Sequence, residues 1–431
     1  MKYLKAPLDR IVATYLIETP LPIDQAAAVL AGEQSSGTFV ALPGETDELK
    51  HQFAARVEHI NELEAVDIPS LPGCRSTKNA NPVFRRAEIC ISWSTANMGR
   101  NLATLISTLQ GNLYELSQFS GMRLVDFDLP HEFSRHFNGP KYGVAGTRAK
   151  IFGTGDSEQH ANRPLIGTII KPSIGLLPDQ TAEMVRVFCD ADIDFIKDDE
   201  LMCNPPHSPF EQRLSAVMRV INQHEDKTGK KVMYAFNISA EIDDMQRHYD
   251  LILKHNGTSA MISINSIGIA AAKKICDHGQ LVIHGHRNGF GMLNRHPLLG
   301  IDFRAYQKMQ RLVGIDQLHV NGIANKFWEP DDSVVRSIKA CAESYGNGQP
   351  ILPVISSGQW GGQAFETYRL TQTVDLLYLA GGGIAAHPDG PAAGVKGIRQ
   401  AWAGAVAGLS SEQVMAESSE YRRAVEKFGK R

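Results

Sequence analysis

The sequence predicts an α/β protein: an eight-stranded (β/α)8 TIM barrel preceded by an N-terminal ferredoxin-like α+β domain. Three observations lead there. From about residue 139, short apolar or β-branched runs alternate with amphipathic stretches eight times. No Gly-x-Gly-x-x-Gly turn follows the first of these runs, which disfavours an open doubly wound sheet. Residues 1–138 have a different rhythm, strands mixed with two helices.

In the first domain, residues 11–18 read as a strand and 22–31 as a helix. Residues 38–42, 54–60 and 89–93 read as further strands, 101–117 as an amphipathic helix and 122–129 as a closing strand. The barrel strands are expected at 167–172, 194–198, 232–239, 260–265, 281–286, 317–320, 351–356 and 376–381. Helices fall between them at 208–223, 241–255, 267–276, 303–312 and 332–344. A helical tail with a basic, frayed end closes the chain. The expected divisions are therefore 1–138, 139–410 and 411–431.

A length of 431 residues suits one large barrel plus a smaller unit. The net charge of −3, with Lys and Arg scattered rather than striped, argues against a nucleic-acid surface. Six cysteines stand far apart with no Cys-x-x-Cys, which suits buried free thiols in a reducing cytoplasm. No signal-peptide run opens the sequence and no 18-residue apolar stretch occurs, so no membrane segment is expected.

Chemistry concentrates in residues 167–200. A β-branched run ends in Lys171-Pro172, a helical stretch follows, and a second strand runs into Lys197-Asp198-Asp199-Glu200. Carboxyl ends of parallel strands are where barrels place their chemistry. Lys197 and Asp199 are two apart on a strand and share a face. Two carboxylates suit a hard ion such as Mg2+, which a lysine ammonium would repel. Lys197 either forms a salt bridge or captures CO2 as a carbamate, becoming an oxygen ligand.

The other strand ends add Lys171, Asn237, Asn265, His286, Arg287, His319, Ser356 and Ser357. A nearly complete polar ring is hard to explain as packing, because unpaired buried polar groups are costly. Ser356-Ser357-Gly358 and Gly381-Gly382-Gly383 leave backbone N–H groups free to cradle a phosphate. Arg287 suits a second anionic group. His319 reads either as a structural histidine or as a proton-transfer or anion-binding group. Residues 33–39 by themselves read as a polar helix-to-strand turn.

Six barrel motifs occur in order: GTIIKPSIGL, DFIKDDE, HGHR, QLHVNG with Lys326 after it, LPVISSG and GGGIAAHP. They resemble the successive strand-end motifs of the RuBisCO large subunit. The segment from Glu33 to Phe39 resembles that family's Glu-x-x-x-Gly-Thr-aromatic segment, and Gly111-Asn112 its Gly-Asn turn. The likeness runs from about residue 10 to 405.

The resemblance implies a carbamylated Lys197 that, with Asp199 and Glu200, holds one Mg2+ per site. It places Lys171 beside the reacting carbons as an acid/base or oxyanion stabiliser, and Lys326 on a mobile loop. The implied catalytic set is Lys171, Lys197, His286, His319 and Lys326. Arg287 and His319 would grip a substrate phosphate, and Gly381 with Gly382 the other end. Ser356 would contact a substrate hydroxyl, with Ser357 and Gly358 beside it. Glu33, Thr38 and Asn112 would reach into the barrel of a second subunit, so that a homodimer shares its active sites. The implied partner is a small sugar phosphate.

Two departures shape the expectation. The carboxylases' second lysine is Ser173 here, and a histidine of theirs is Phe290. Losing that lysine removes a donor worth on the order of 10²–10³ in rate. The chain is thus identified as RuBisCO-like, without CO2 fixation. The favoured chemistry is decarboxylation or hydrolytic C–C cleavage of a phosphorylated branched 3-oxo acid, such as 3-oxo-isoapionate 4-phosphate. The alternatives are isomerisation of 5-methylthioribulose 1-phosphate and enolisation of 2,3-diketo-5-methylthiopentyl 1-phosphate. An inactive sugar-phosphate-binding relic is the reading of another class, and the intact Lys197, Asp199 and Glu200 speak against it. The general base is open among the Lys197 carbamate, Lys171 and His319.

Overall fold

The computed structural model describes residues 4–36, 43–75, 83–153 and 160–429. The expected strand 38–42, and with it Thr38, lies outside them. The chain divides into two compact units: Met1–Phe137 with Gly289–Leu312, and Asn138–Asn288 with Val313–Arg431.

Among the described residues the first unit holds a five-stranded sheet ordered Leu299–Ile301, Gly121–Asp128, Arg10–Thr19, Phe84–Ser94, Arg56–Val66. Neighbours are antiparallel, except that Leu299–Ile301 runs parallel to Gly121–Asp128. Arg10–Thr19 is central and buried almost throughout, as its apolar run requires. Helix Ile23–Glu33 buries Ala26, Ala27 and Leu30.

Three local readings change here. The expected helix 101–117 stops as Leu102–Leu109 and resumes as a 3-10 turn, Gly111–Glu115. Gly111 takes φ +39, outside the right-handed helical region, so the α-helix cannot run through it. A helix the sequence did not suggest, Asp47–Phe53, is capped by Thr46 Oγ1 accepting from the Leu49 N–H at 3.2 Å. None of its residues is buried, so it has no apolar stripe to read. The helix Phe303–Val313, expected among the barrel helices, lies in the first unit up to Leu312. Phe290 is a core residue of the same unit, its ring 4.5 Å from Tyr306 and 5.9 Å from Phe303.

The second unit is a closed barrel of parallel strands: Leu165–Ile169, Phe195–Lys197, Met233–Asn237, Ser259–Ser263, Val282–His286, Gln317–His319, Leu352–Ile355 and Leu377–Leu379. Each overlaps an expected strand. Strands buried on both faces read as continuous apolar runs, and Leu165, Phe195, Met233, Val282, Leu352 and Leu377 accordingly meet in its core. At the amino-terminal rim, the buried Asp194 carboxylate accepts from Arg163 at 2.6 and 3.0 Å, Lys230 at 2.8 Å and the Ile166 N–H at 2.9 Å.

The C-terminal tail is packed. Helices Ser411–Glu417 and Ser419–Phe428 follow one another, and the second buries Tyr421, Ala424 and Phe428. All six cysteines are free, with Cys90, Cys189 and Cys341 buried and the others partly exposed. Among the described residues no helix is long and apolar enough to cross a membrane.

Candidate active site

The first barrel strand ends at Ile169, so Lys171 stands in the loop beyond it. Its Nζ donates to Ser173 Oγ at 2.8 Å and to Asp199 Oδ2 at 2.5 Å. Ser173, the residue in place of a second lysine, is thus a partner of the first. The other Asp199 oxygen accepts from the Leu201 N–H at 3.1 Å. Burial raises the Asp199 carboxyl, but the bond from Lys171 and the nearby positive charges outweigh it and hold the group low.

Lys197 ends the second strand and is buried, its side chain only 1% exposed. Nζ donates to the Asp198 carbonyl at 2.8 Å and lies 3.7 Å from Glu200 Oε2. Burial pushes its pKa down against the pull of Glu200, Asp199 and Asp198. Asp198 serves the scaffold instead. It accepts from Tyr234 Oη at 2.6 Å, the Asn237 N–H at 3.0 Å and Arg213 at 3.3 Å.

Lys197, Asp199 and Glu200 are therefore adjacent. Among the described residues no three His, Cys, Asp or Glu side chains are grouped to hold a metal ion. The set falls one oxygen donor short, and a carbamate on Lys197 would supply it while removing the charge that opposes a cation. The residues fit Mg2+ on that condition.

Strands five to seven bring the histidines together. His286 Nε2 lies 3.7 Å from Glu200 Oε2. Burial and the charge of Lys197 press His286 down to about 3, so this contact joins a neutral ring to a carboxylate. The His319 ring is 4.5 Å from that of His286. His319 Nδ1 meets Ser356 Oγ at 3.1 Å, and its Nε2 meets His284 Nε2 at 2.9 Å. His284 was not among the sequence candidates. Its place two residues before His286 on one strand, hence on the same face, is the signal that could have found it.

Arg287 donates to Glu329 at 2.7 Å, and Glu329 also accepts from Asn321 at 2.6 Å and Ser333 at 2.9 Å. Glu329 was likewise missed. It is far from Arg287 in sequence and no motif marks it. Ser357 adopts φ +76 and donates to Asn321 Oδ1 at 3.0 Å.

Lys326 is exposed, with its N–H on the Ser357 carbonyl at 3.2 Å and its ammonium 5.2 Å from the Phe327 ring centre. A cavity of about 700 Å3 is lined by Lys326, Gly358, Gly382 and Gly383, with Tyr421 and Phe428 of the last helix also on its wall. A Cβ at Gly382 would meet nothing within 4 Å, whereas one at Gly383 would strike the Gln359 carbonyl at 2.4 Å. Gly381 and Gly382 open the short helix that follows strand eight.

Glu33 and Asn112 belong to the first unit, where Asn112 Nδ2 donates to Glu33 Oε1 at 3.3 Å. The remaining described candidates belong to the second.

The family model of the ribulose bisphosphate carboxylase large chain matches twice, its N-terminal domain over residues 2–133 and its catalytic domain over 151–428. The chain belongs to the RuBisCO large-chain family. This RuBisCO-family chain is 48% identical to a 3-oxo-isoapionate-4-phosphate transcarboxylase/hydrolase of Xanthobacter autotrophicus, covering 97% of its own length and 99% of the relative's. It is 44% identical to a 3-oxo-isoapionate-4-phosphate decarboxylase of Rhizobium etli, with 97% and 98% covered. Among solved structures, a RuBisCO-like protein from Burkholderia fungorum superposes with a TM-score of 0.89 at 43% identity, covering 97% of this chain and 99% of the other.

Proposed function

We propose that the protein is a Mg2+-dependent RuBisCO-like enzyme that cleaves a C–C bond of 3-oxo-isoapionate 4-phosphate or a close analogue, by decarboxylation or hydrolysis. One observation carries this reading: two relatives matched over 97% of the chain are both named for that compound. In a 3-oxo acid the carboxylate leaves as CO2 and its bonding electrons pass toward the ketone oxygen, so no C–H proton need be removed. A site with Ser173 in place of a second lysine suits that route.

Mg2+ held by the Lys197 carbamate, Asp199 and Glu200 would supply Lewis-acid polarisation of the ketone. Lys171, fixed by Asp199 and Ser173, would present its ammonium where negative charge develops. Lys326 would hold the departing carboxylate. Arg287 would grip one anionic group, His319 having both ring nitrogens engaged by His284 and Ser356, and the N–H groups around Ser357, Gly358, Gly381 and Gly382 would receive the phosphate. Free cysteines accord with a cytoplasmic setting.

The test offers each candidate sugar phosphate with Mg2+ and bicarbonate in D2O and follows products by NMR. From 3-oxo-isoapionate 4-phosphate, CO2 release with a one-carbon-shorter ketone is expected for decarboxylation, and two smaller acids for hydrolysis. Lys326→Met should lower kcat by on the order of 10²-fold. Unchanged turnover in that variant would remove the carboxylate-holding role. Deuterium entering 5-methylthioribulose 1-phosphate, with a new product, would replace the reading by an isomerase.

The proposal includes a homodimer in which Glu33, Thr38 and Asn112 serve the partner's barrel. The purified protein should scatter light as a multiple of its 47.3 kDa chain. A monomeric mass in an active preparation would exclude the shared site.

A further inference from the structure

The histidine cluster inside the barrel has a hydrogen-bond direction that can be read from one end. The Gln317 amide nitrogen donates to Met233 Sδ at 3.5 Å and to Thr147 Oγ1 at 3.3 Å. A thioether sulfur accepts and never donates, so the amide nitrogen lies on that side. The amide oxygen then faces His284 Nδ1 at 2.8 Å. An amide oxygen only accepts, so His284 Nδ1 bears the proton.

Burial keeps His284 neutral, which leaves its Nε2 bare. The 2.9 Å contact from His319 Nε2 must then be a donation by His319. His319 is kept neutral chiefly by burial, with the Arg287 charge acting in the same direction. Its Nδ1 is therefore bare and takes the hydroxyl proton of Ser356 at 3.1 Å.

We propose that Gln317, His284 and His319 form a positioning relay that fixes Ser356 Oγ as a hydrogen-bond acceptor toward the ligand. With its proton committed to His319, Ser356 offers lone pairs alone. It selects a ligand hydroxyl and disfavours carboxylate or phosphate oxygens, which are acceptors themselves. His284 and Gln317 are positioning residues, and no bond is made or broken in the relay. The selection of a hydroxyl rests on the proposed sugar-phosphate chemistry. The proton positions do not.

The proton positions can be measured without any ligand. In protein labelled with 15N-histidine, with peaks assigned through His284→Gln and His319→Gln, the two rings should show opposite tautomers at neutral pH. His284 should carry its proton on Nδ1 and His319 on Nε2. A proton on His319 Nδ1, or on both nitrogens, would overturn the relay.

Kinetics gives the second arm. His284→Leu removes the acceptor, so His319 should populate both tautomers. Turnover of 3-oxo-isoapionate 4-phosphate should then fall roughly tenfold to a hundredfold in kcat with KM little changed. His284→Gln places an amide oxygen near the lost nitrogen and should recover most of the rate. A leucine variant with unchanged tautomer and unchanged kcat, or a folded glutamine variant that recovers nothing, would count against the relay. Correct tautomers in a wild-type protein that does not turn over the 3-oxo acid would sink the reaction and leave the relay standing.

Discussion

Lys197→Met should reduce turnover by on the order of 10³-fold or more and leave the fold at least as stable. The two effects have separate causes. Lys197 is 1% exposed, and its ammonium donates to the Asp198 carbonyl and the Met261 sulfur, with the Glu200 carboxylate 3.7 Å away. Burying that charge is costly, and an apolar chain of similar length removes the cost. The same change removes the amine that would take up CO2, leaving Asp199 and Glu200 as the remaining proposed ligands. Calorimetric titration with Mg2+, with and without bicarbonate, reads this independently of any substrate. Bicarbonate-dependent Mg2+ binding is expected in the parent protein and none in the variant. Equal binding in both would refute a carbamate on Lys197.

Asp194→Asn should cost about 3–5 kcal/mol of stability, because it breaks a buried ionic hub on one side only. The carboxylate is fully buried and is shared by Arg163, Lys230 and Arg399. Asparagine keeps the shape and takes the carboxylate from all three cations, of which Lys230 and Arg399 keep an ion pair with the exposed Asp192.

The pH dependence has a definite sign. Burial raises the Asp194 carboxyl, but the Arg163 hydrogen bonds and the charges of Lys230, Arg163 and Arg399 outweigh it, holding the group far below the usual range. The folded state therefore binds this proton later than the unfolded chain, whose carboxylate titrates near pH ~4. The stability from Asp194 is complete above that value and is lost as pH falls below it toward the folded pKa. Urea midpoints of parent and variant should differ most at neutral pH and converge in acid. A gap that stays constant down to pH ~3 would show that charge is not its source.

How far the site could be read from sequence depends on which contacts are local. Lys197 and Asp199 share a face by strand alternation, and Glu200 follows them, so that cluster was visible in one motif. Lys171 on Asp199 joins two strands and needed the barrel to close, as did the approach of His286 to Glu200. Gln317 and His284 are 33 residues apart and His319 and Ser356 are 37 apart, so no local pattern links them. Glu329 holds Arg287 across 42 residues and was invisible for the same reason.

The sequence by itself determined the barrel and the identity of its rim residues. Buried parallel strands must be continuous apolar runs, and a change to polar residues marks where each strand leaves the sheet. It did not determine the break at Gly111, the exposed helix Asp47–Phe53, or the recruitment of Leu299–Ile301 beside Gly121–Asp128. The first depends on one backbone angle, the second has no buried face, and the third is a pairing between segments far apart in the chain. Only the tertiary structure decided which oxygens Lys171 bridges and which nitrogen of each histidine faces a donor. Hydrogen-bond direction is a property of atoms brought together by folding, and residue order alone does not encode it.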